Sequence, residues 1–372
     1  MKLRNLFLNT LLVLSVCIPF TSCDNENKLP NDDGTKIELP GKRAYILYEG
    51  SWGNNDAGIA FYAPNKDADF QSDIFNLQNG KKIGSLANDF IEHGDYIYVV
   101  VSGSKYISKM NEACVEAGIY KFPDGEGDPR RITAEDGFLY VTQYGGQVSK
   151  INTQTMERVA VFNGGDNLEG IAEYNGKLYV ANTYKNDNGN FIYNKDVFVI
   201  NAQTMKLDET ITVASNPERV FEMDGKIYVY SKGNYYDEPN TLQIIDPSRN
   251  NQVTNYETPI SKICEGKNDM LYIINNVTVY DDDWNVVSSE NTFHTYNTGT
   301  GMLGESFIKN LPEELISANI YMLNVDDDTK EIYIGTTDYV NTGTIYRFDA
   351  NGNLKDSFDA EGINPNNMIF VD

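Results

Sequence analysis

Asn364-Pro365-Asn366-Asn367-Met368-Ile369-Phe370-Val371-Asp372 repeats the opening of an internal unit, Asn216-Pro217-Glu218-Arg219-Val220-Phe221-Glu222-Met223-Asp224. In the internal copy a second strand follows, Lys226-Ile227-Tyr228-Val229-Tyr230. In the terminal copy its counterpart lies at the other end of the chain, as Arg43-Ala44-Tyr45-Ile46-Leu47-Tyr48. A unit split between the termini predicts a closed ring, because the two ends must meet to complete it.

The clearest complete unit runs from Leu168 to Val213, with expected strands Glu169–Tyr174, Lys177–Asn182, Asp196–Asn201 and Glu209–Val213. Asn175-Gly176 is a two-residue hairpin turn, both residues tolerating positive φ. The turn recurs as Asp136-Gly137, Asp224-Gly225 and Gly94-Asp95. A Tyr flanked by apolar residues recurs in the second strand at Tyr98, Tyr140, Tyr179, Tyr228, Tyr272 and Tyr333. The spacing of about 40 to 60 residues is that of four-stranded propeller blades. Six internal units plus the split one predict an all-β, seven-bladed β-propeller over residues 41–372. Strand residues are Val, Ile, Tyr and Phe, and no long helical periodicity competes.

Residues 1–22 read as a processing segment. Lys2 and Arg4 precede an apolar run, Leu6 to Phe20, too short and interrupted to span a membrane. Phe20-Thr21-Ser22-Cys23 resembles a bacterial lipobox, which makes Cys23 the expected lipidation site and the ring a lipid-anchored cell-surface protein of the outer membrane. Residues 23–40 are polar and are expected to form a flexible tether. Of the other cysteines, Cys17 lies in the signal, while Cys114 and Cys264 fall in different blades and are expected to stay unpaired.

The chain carries 54 acidic and 30 basic residues, a formal charge of −24. Nucleic acid is thereby disfavoured as a partner, since neutralising phosphates needs a basic surface. Only His93 and His294 supply imidazoles, the first at the end of an inner strand and the second in an insertion. No metal site, catalytic group or cofactor is expected from them. Asp281-Asp282-Asp283 and Asp326-Asp327-Asp328 read as turns between strands, lacking the glycine-spaced loop of a calcium site. The insertion Val286–Pro312 reads as a lid or a long blade connection.

Aligning the seven inner strands places Asp89, Arg131, Gly170, Arg219, Lys262, Tyr321 and Asn367 at one equivalent position, around one mouth of the channel. Like charges crowded there repel and resist desolvation. Either carboxylate neighbours such as Glu169 and Glu218 compensate them, or an anionic ligand group docks. Loops on the same face carry Trp52, Tyr106, Tyr144, Asn182, Tyr184, Asn234, Tyr235, Tyr236 and Tyr339. Tyrosine combines a large apolar face with a polar tip, which suits a binding surface. Together the ring and loops suggest a wide platform for a large, amide-rich, partly anionic ligand.

The lipobox-like Cys23, the acidic tether and repeats such as Asn216-Pro217…Asp224-Gly225-Lys226-Ile227-Tyr228-Val229 resemble the Bacteroidetes surface-layer, YncE-like propeller lipoproteins. The resemblance is greatest to their BtuG-type cobalamin-binding members. It implies capture of vitamin B12 or a related corrinoid, with delivery to a TonB-dependent outer-membrane cobalamin transporter. It also implies a binding role without catalysis. Two other classes fit the same sequence: a glycan-binding or scaffolding propeller of an outer-membrane uptake system, and a propeller lyase or hydrolase.

Overall fold

The computed structural model describes residues 34–37, 39–64, 69–256, 260–266, 269–283 and 285–371. Cys23, the signal and most of the tether lie outside them. Seven four-stranded antiparallel sheets form the blades. The first holds β1 (Arg43–Tyr48), β2 (Gly58–Ala63) and β3 (Asp69–Gln71). The second holds β4 (Ala87–His93), β5 (Tyr96–Val101), β6 (Tyr106–Asn111) and β7 (Glu116–Lys121). The third holds β8 (Pro129–Glu135), β9 (Phe138–Gln143), β10 (Gln147–Asn152) and β11 (Glu157–Asn163). In the fourth are β12 (Asn167–Tyr174), β13 (Lys177–Asp187), β14 (Asn190–Asn201) and β15 (Lys206–Thr212). The fifth comprises β16 (Pro217–Met223), β17 (Lys226–Ser231), β18 (Thr241–Asp246) and β19 (Gln252–Tyr256). The sixth comprises β20 (Lys262–Glu265), β21 (Met270–Tyr280), β22 (Val286–Asn297) and β23 (Met302–Leu303). β24 (Asn319–Val325), β25 (Ile332–Thr337), β26 (Thr344–Phe348) and β27 (Leu354–Asp359) make the seventh. β28 (Pro365–Val371) then returns to the first blade as its innermost strand.

β28 pairs antiparallel with β1 through Arg43↔Val371, Ala44↔Phe370, Tyr45↔Ile369 and Ile46↔Met368, so the ring is closed by the two ends of the chain. The turn chemistry follows the sequence. Asn175 and Gly176 have φ of 51° and 74°, Asp136 and Gly137 of 50° and 78°, Asp224 and Gly225 of 52° and 77°. These are the left-handed pairs a tight hairpin needs.

The apolar core is divided between adjacent blades. One such core joins Tyr179 and Val199 of the fourth blade to Val220 and Val229 of the fifth. Of the recurrent tyrosines, Tyr98, Tyr140, Tyr179, Tyr228 and Tyr333 are buried, and Tyr272 is half-buried. Each blade buries its faces only against its neighbours, which is why an open arc would leave two faces wet.

Three local expectations change. The 2–3 connection of the fourth blade is a ribbon rather than a loop, because β13 and β14 continue pairing to Asp187↔Asn190. In the sixth blade, Val286–Asn297 is the third strand, so His294 sits opposite Ile273 inside a sheet and not in an insertion. The end of the segment read as tether is packed: Leu39 is buried, and the Lys36 and Ile37 amides donate to Gln78 Oε1. Cys114 and Cys264 are free, buried thiols in separate cores. Asp281 and Asp326 cap their own turns, accepting the amides of Asp283 and Asp328.

Removal of residues 364–372 strips six register pairs from β1 and uncovers Tyr333, which packs on Phe370 at 5.3 Å. Exposing each large apolar side chain costs about 1.5–3 kcal/mol, against a total stability of about 5–15 kcal/mol. The truncated chain is therefore expected to aggregate or to lose cooperative melting. A soluble variant with an unchanged calorimetric transition contradicts closure by the termini.

Candidate functional site

Six of the seven inner strands share a defect at the mouth. Register shifts fall between Ala87/Asp89, Pro129/Ile132, Leu168/Ile171, Pro217/Arg219 and Ile320/Met322, and in β1 between Leu47/Tyr48 opposite β28. A β-bulge inserts an extra residue and re-aims side chains at a rim. In these six blades two consecutive residues thereby serve the mouth, where strict alternation would supply one; β20 of the sixth blade pairs without a shift.

The sequence alignment recovers Asp89, Arg131, Gly170, Arg219, Lys262 and Asn367 as register equivalents. Tyr321 is one residue out: Met322 pairs Gly335 at the position Arg219 holds opposite Tyr230, and it is buried. Tyr321 occupies the bulge position and still reaches the ring, donating its hydroxyl to Glu49 Oε2. The bulge residues Glu169 and Glu218 are the expected carboxylate neighbours and are ion-paired, while Asn88, Arg130 and Asn366 were missed.

These residues form a polar girdle running blade to blade. Asn366 Nδ2 donates to the Ala87 carbonyl at 3.0 Å, and Asn367 Nδ2 to Asp89 Oδ1 at 3.2 Å. An Arg130 terminal nitrogen reaches Asn88 Oδ1 at 3.0 Å, and its Nε reaches Glu169 Oε1 at 2.8 Å. Arg131 donates to the Asn88 carbonyl at 2.9 Å, and its Nε lies 3.8 Å from Glu169 Oε2. Thr183 donates to the Pro217 carbonyl at 2.9 Å, joining the fourth blade to the fifth. Arg219 donates to the Ile263 carbonyl and pairs with Glu265 at 2.7 Å. Lys262 Nζ lies 4.9 Å from the centre of the Tyr321 ring. Tyr321–Glu49 then closes the circuit to the first blade.

The electrostatics follow from enclosure. Burial drives the Tyr144 hydroxyl well above its usual range, reinforced by Glu169, to which it donates at 2.6 Å. Burial alone would raise the Glu218 carboxyl, but Lys232, paired with it at 2.7 Å, holds it below the ordinary value. Lys262 is pushed down to about 8, first by desolvation; Glu218 opposes this while Lys232, Arg131 and Arg219 repel its charge.

Beside the girdle lies a recess of about 320 Å³ lined by the third, fourth and fifth blades. Arg130, Glu169, Glu218 and Lys232 edge it, and Tyr144, Tyr184, Phe191, Tyr193 and Tyr235 wall it. Arg130 stacks over Tyr144 at 4.6 Å, Tyr144 meets Tyr184 edge-on at 6.0 Å, and Tyr193 meets Tyr235 at 5.6 Å. Phe191 and Tyr193 were missed because they lie on the ribbon, which the sequence reading treated as a connection.

Trp52, Tyr235, Tyr236 and Tyr339 are 77%, 68%, 94% and 58% exposed, so these rings are open to a ligand. Asn234 ties its own loop, accepting the amides of Tyr236, Asp237 and Glu238. Two expected platform residues are not on the platform. Tyr106 packs against the core between the first and second blades and donates to the Ile83 carbonyl. Asn182 is buried, its Oδ1 accepting the Asp166 amide at 2.9 Å.

No family model matches the chain, and no curated protein matches it. Among solved structures it is similar to Kuenenia stuttgartiensis hydrazine synthase, with TM-score 0.54 and 15% identity over 69% of this chain and 74% of that one. It is also similar to the Neurospora crassa Pan2 WD40 domain, with TM-score 0.52 and 8% identity over 72% of this chain and 78% of that one. Likeness at these identities shows the fold alone. The class is therefore a seven-bladed β-propeller.

Lys262 gives a signed pH prediction. Its folded pKa of about 8 lies below the ordinary 10.5, so between these values the unfolded chain binds the extra proton and stability rises with pH. Lys262→Met removes this contribution. At pH 7 the variant is expected to be more stable than the wild type by about 1–3 kcal/mol, an advantage that is constant below about pH 8 and vanishes as the two curves converge towards pH 10. Denaturant melts at pH 7, 8.5 and 10 check this; a variant less stable at pH 7 contradicts it.

Proposed function

We propose that this propeller is a surface-anchored binding protein that captures a corrinoid such as vitamin B12 and passes it to a TonB-dependent outer-membrane transporter, without catalytic turnover. The observation that carries the reading is the coincidence, on one face, of open aromatic rings with a mouth of amides and cations. A corrinoid combines a broad macrocycle, a rim of carboxamides and one phosphodiester. Tyr184, Phe191, Tyr193 and Tyr235 offer apolar faces, and Asn366 and Asn367 offer amides near the pore. A recess of about 320 Å³ is at the small end of ligand pockets. It holds one planar ring system, leaving the rest of a large ligand to lie across the mouth.

The cations divide differently from the sequence reading. Arg131 and Arg219 are committed to Asn88, Glu169, Ile263 and Glu265. Lys262 is better placed for an anionic group.

Glycan binding is the second reading, favoured by the exposure of Trp52 and Tyr236, since lone open rings suit stacking on sugars. Calorimetry with cyanocobalamin on the mature chain decides between them. Corrinoid capture predicts saturable binding, weakened about tenfold or more in Tyr184→Ala or Tyr235→Ala, in line with about 0.5–1.5 kcal/mol per aromatic contact plus lost burial. Absence of binding, with retardation in polysaccharide gels, overturns it in favour of the glycan.

A further inference from the structure

Lys262 stands apart from the other cations of the mouth. Arg130 and Arg131 share Glu169, Lys232 holds Glu218 and Arg219 holds Glu265. Among the described residues, no carboxylate lies within salt-bridge distance of Lys262, whose ammonium rests over the Tyr321 ring at 4.9 Å. Tyr321 is itself fixed by its bond to Glu49. A cation–π contact is a weak partner for an ammonium enclosed beside Arg131, Arg219 and Lys232, whose repulsion it feels. The nearby Glu218 is engaged by Lys232 at 2.7 Å. A cation met only at a distance by a shared carboxylate destabilises the protein relative to one that an anion meets directly.

We propose that Lys262 is the seat of a phosphoryl-binding subsite at the centre of the mouth. Besides Lys262 itself on β20, the cations whose fields meet there are Lys232 and Arg219 of the fifth blade and Arg131 of β8. The arginines add field without direct bonds, which favours an anion of higher charge; a planar carboxylate would be met by one arginine fork in a bidentate pair. Lys262 supplies a point charge with three rotatable donors and leaves the arginines in their structural pairs. In the corrinoid reading, on which the identity of the natural ligand rests, the group seated there is the phosphodiester. A free phosphate would be held by the same chemistry.

Two arms separate these sources. In the first, the mature protein is titrated with inorganic phosphate and with pyrophosphate by calorimetry at pH 7, beside Lys262→Met and Lys262→Arg. Saturable binding in the wild type, weakened about ten- to a hundredfold in Lys262→Met and largely restored in Lys262→Arg, supports the subsite. Binding absent in the wild type, or equal in Lys262→Met, overturns it. In the second, cyanocobalamin is compared with dicyanocobinamide, which lacks the nucleotide phosphodiester. A preference for cyanocobalamin that collapses towards unity in Lys262→Met assigns the subsite to the corrinoid phosphate. A preference unaffected by the substitution overturns that assignment. If neither corrinoid binds, the corrinoid reading fails while the phosphate arm still decides the subsite.

Discussion

Antiparallel pairing of residues 43–48 with 365–371 is the constraint on which the rest of the molecule depends. Each blade buries its faces only against its neighbours, so the interblade cores are complete only when the first and seventh blades meet. β28 supplies that contact twice: its edge joins β1, and its apolar face covers Met322 and Tyr333 of the seventh blade. The same strand carries Asn366 and Asn367 into the girdle, where they bond to the second blade. Closure of the fold and completion of the site are therefore one event. A change that frays β28 should loosen the mouth before it disturbs the outer strands.

Repeated bulging at the mouth converts a stack of sheets into a site. In a regular strand, neighbouring side chains point to opposite faces, and each inner strand would lend one residue to the channel. The inserted residue gives two. One set reaches sideways, as Arg130 does to Asn88 and Glu169, and holds blades in register. The following set, Asp89, Arg131, Arg219 and Lys262, lies one step further along. Most of these charges are internally matched. A pore in a strongly acidic chain can thus present cations without large self-repulsion, and Lys262 is the exception to that matching.

Much of this was legible in the sequence. The split repeat, the Asn-Gly and Asp-Gly turns and the recurrent tyrosines depend on local patterns of period two and on positive φ, which single residues report. The girdle was half legible. A fixed offset from a two-residue hairpin turn finds Asp89, Arg131 and Arg219, but in the seventh blade residues 326–331 separate the last pair, Val325↔Ile332, and so Tyr321 was placed at the position Met322 takes. The missed signal was the pair of polar residues that opens most inner strands: Asn88-Asp89, Arg130-Arg131, Glu218-Arg219 and Asn366-Asn367. Two polar residues running together in a strand that should alternate announce a bulge. The ribbon of the fourth blade was illegible for another reason. Residues 183–195 are rich in Asn, Asp and Lys, which composition assigns to a loop, whereas backbone pairing to Asp187↔Asn190 carries the ribbon. Tyr106 and Asn182 show the converse error: a residue next to a loop need not face the ligand when a buried carbonyl or amide claims its polar group.

Hydrogen exchange tests the central claim most directly. A ring closed by its termini predicts that the amides of Tyr45, Ile46, Leu47, Ile369 and Phe370 that are bonded within the β1–β28 ladder exchange only through global unfolding. Their protection should equal that of the central strands β9 and β17 and fall with them in denaturant. Exchange of the β1–β28 amides through a separate opening of much lower free energy, with the other blades still protected, would contradict it.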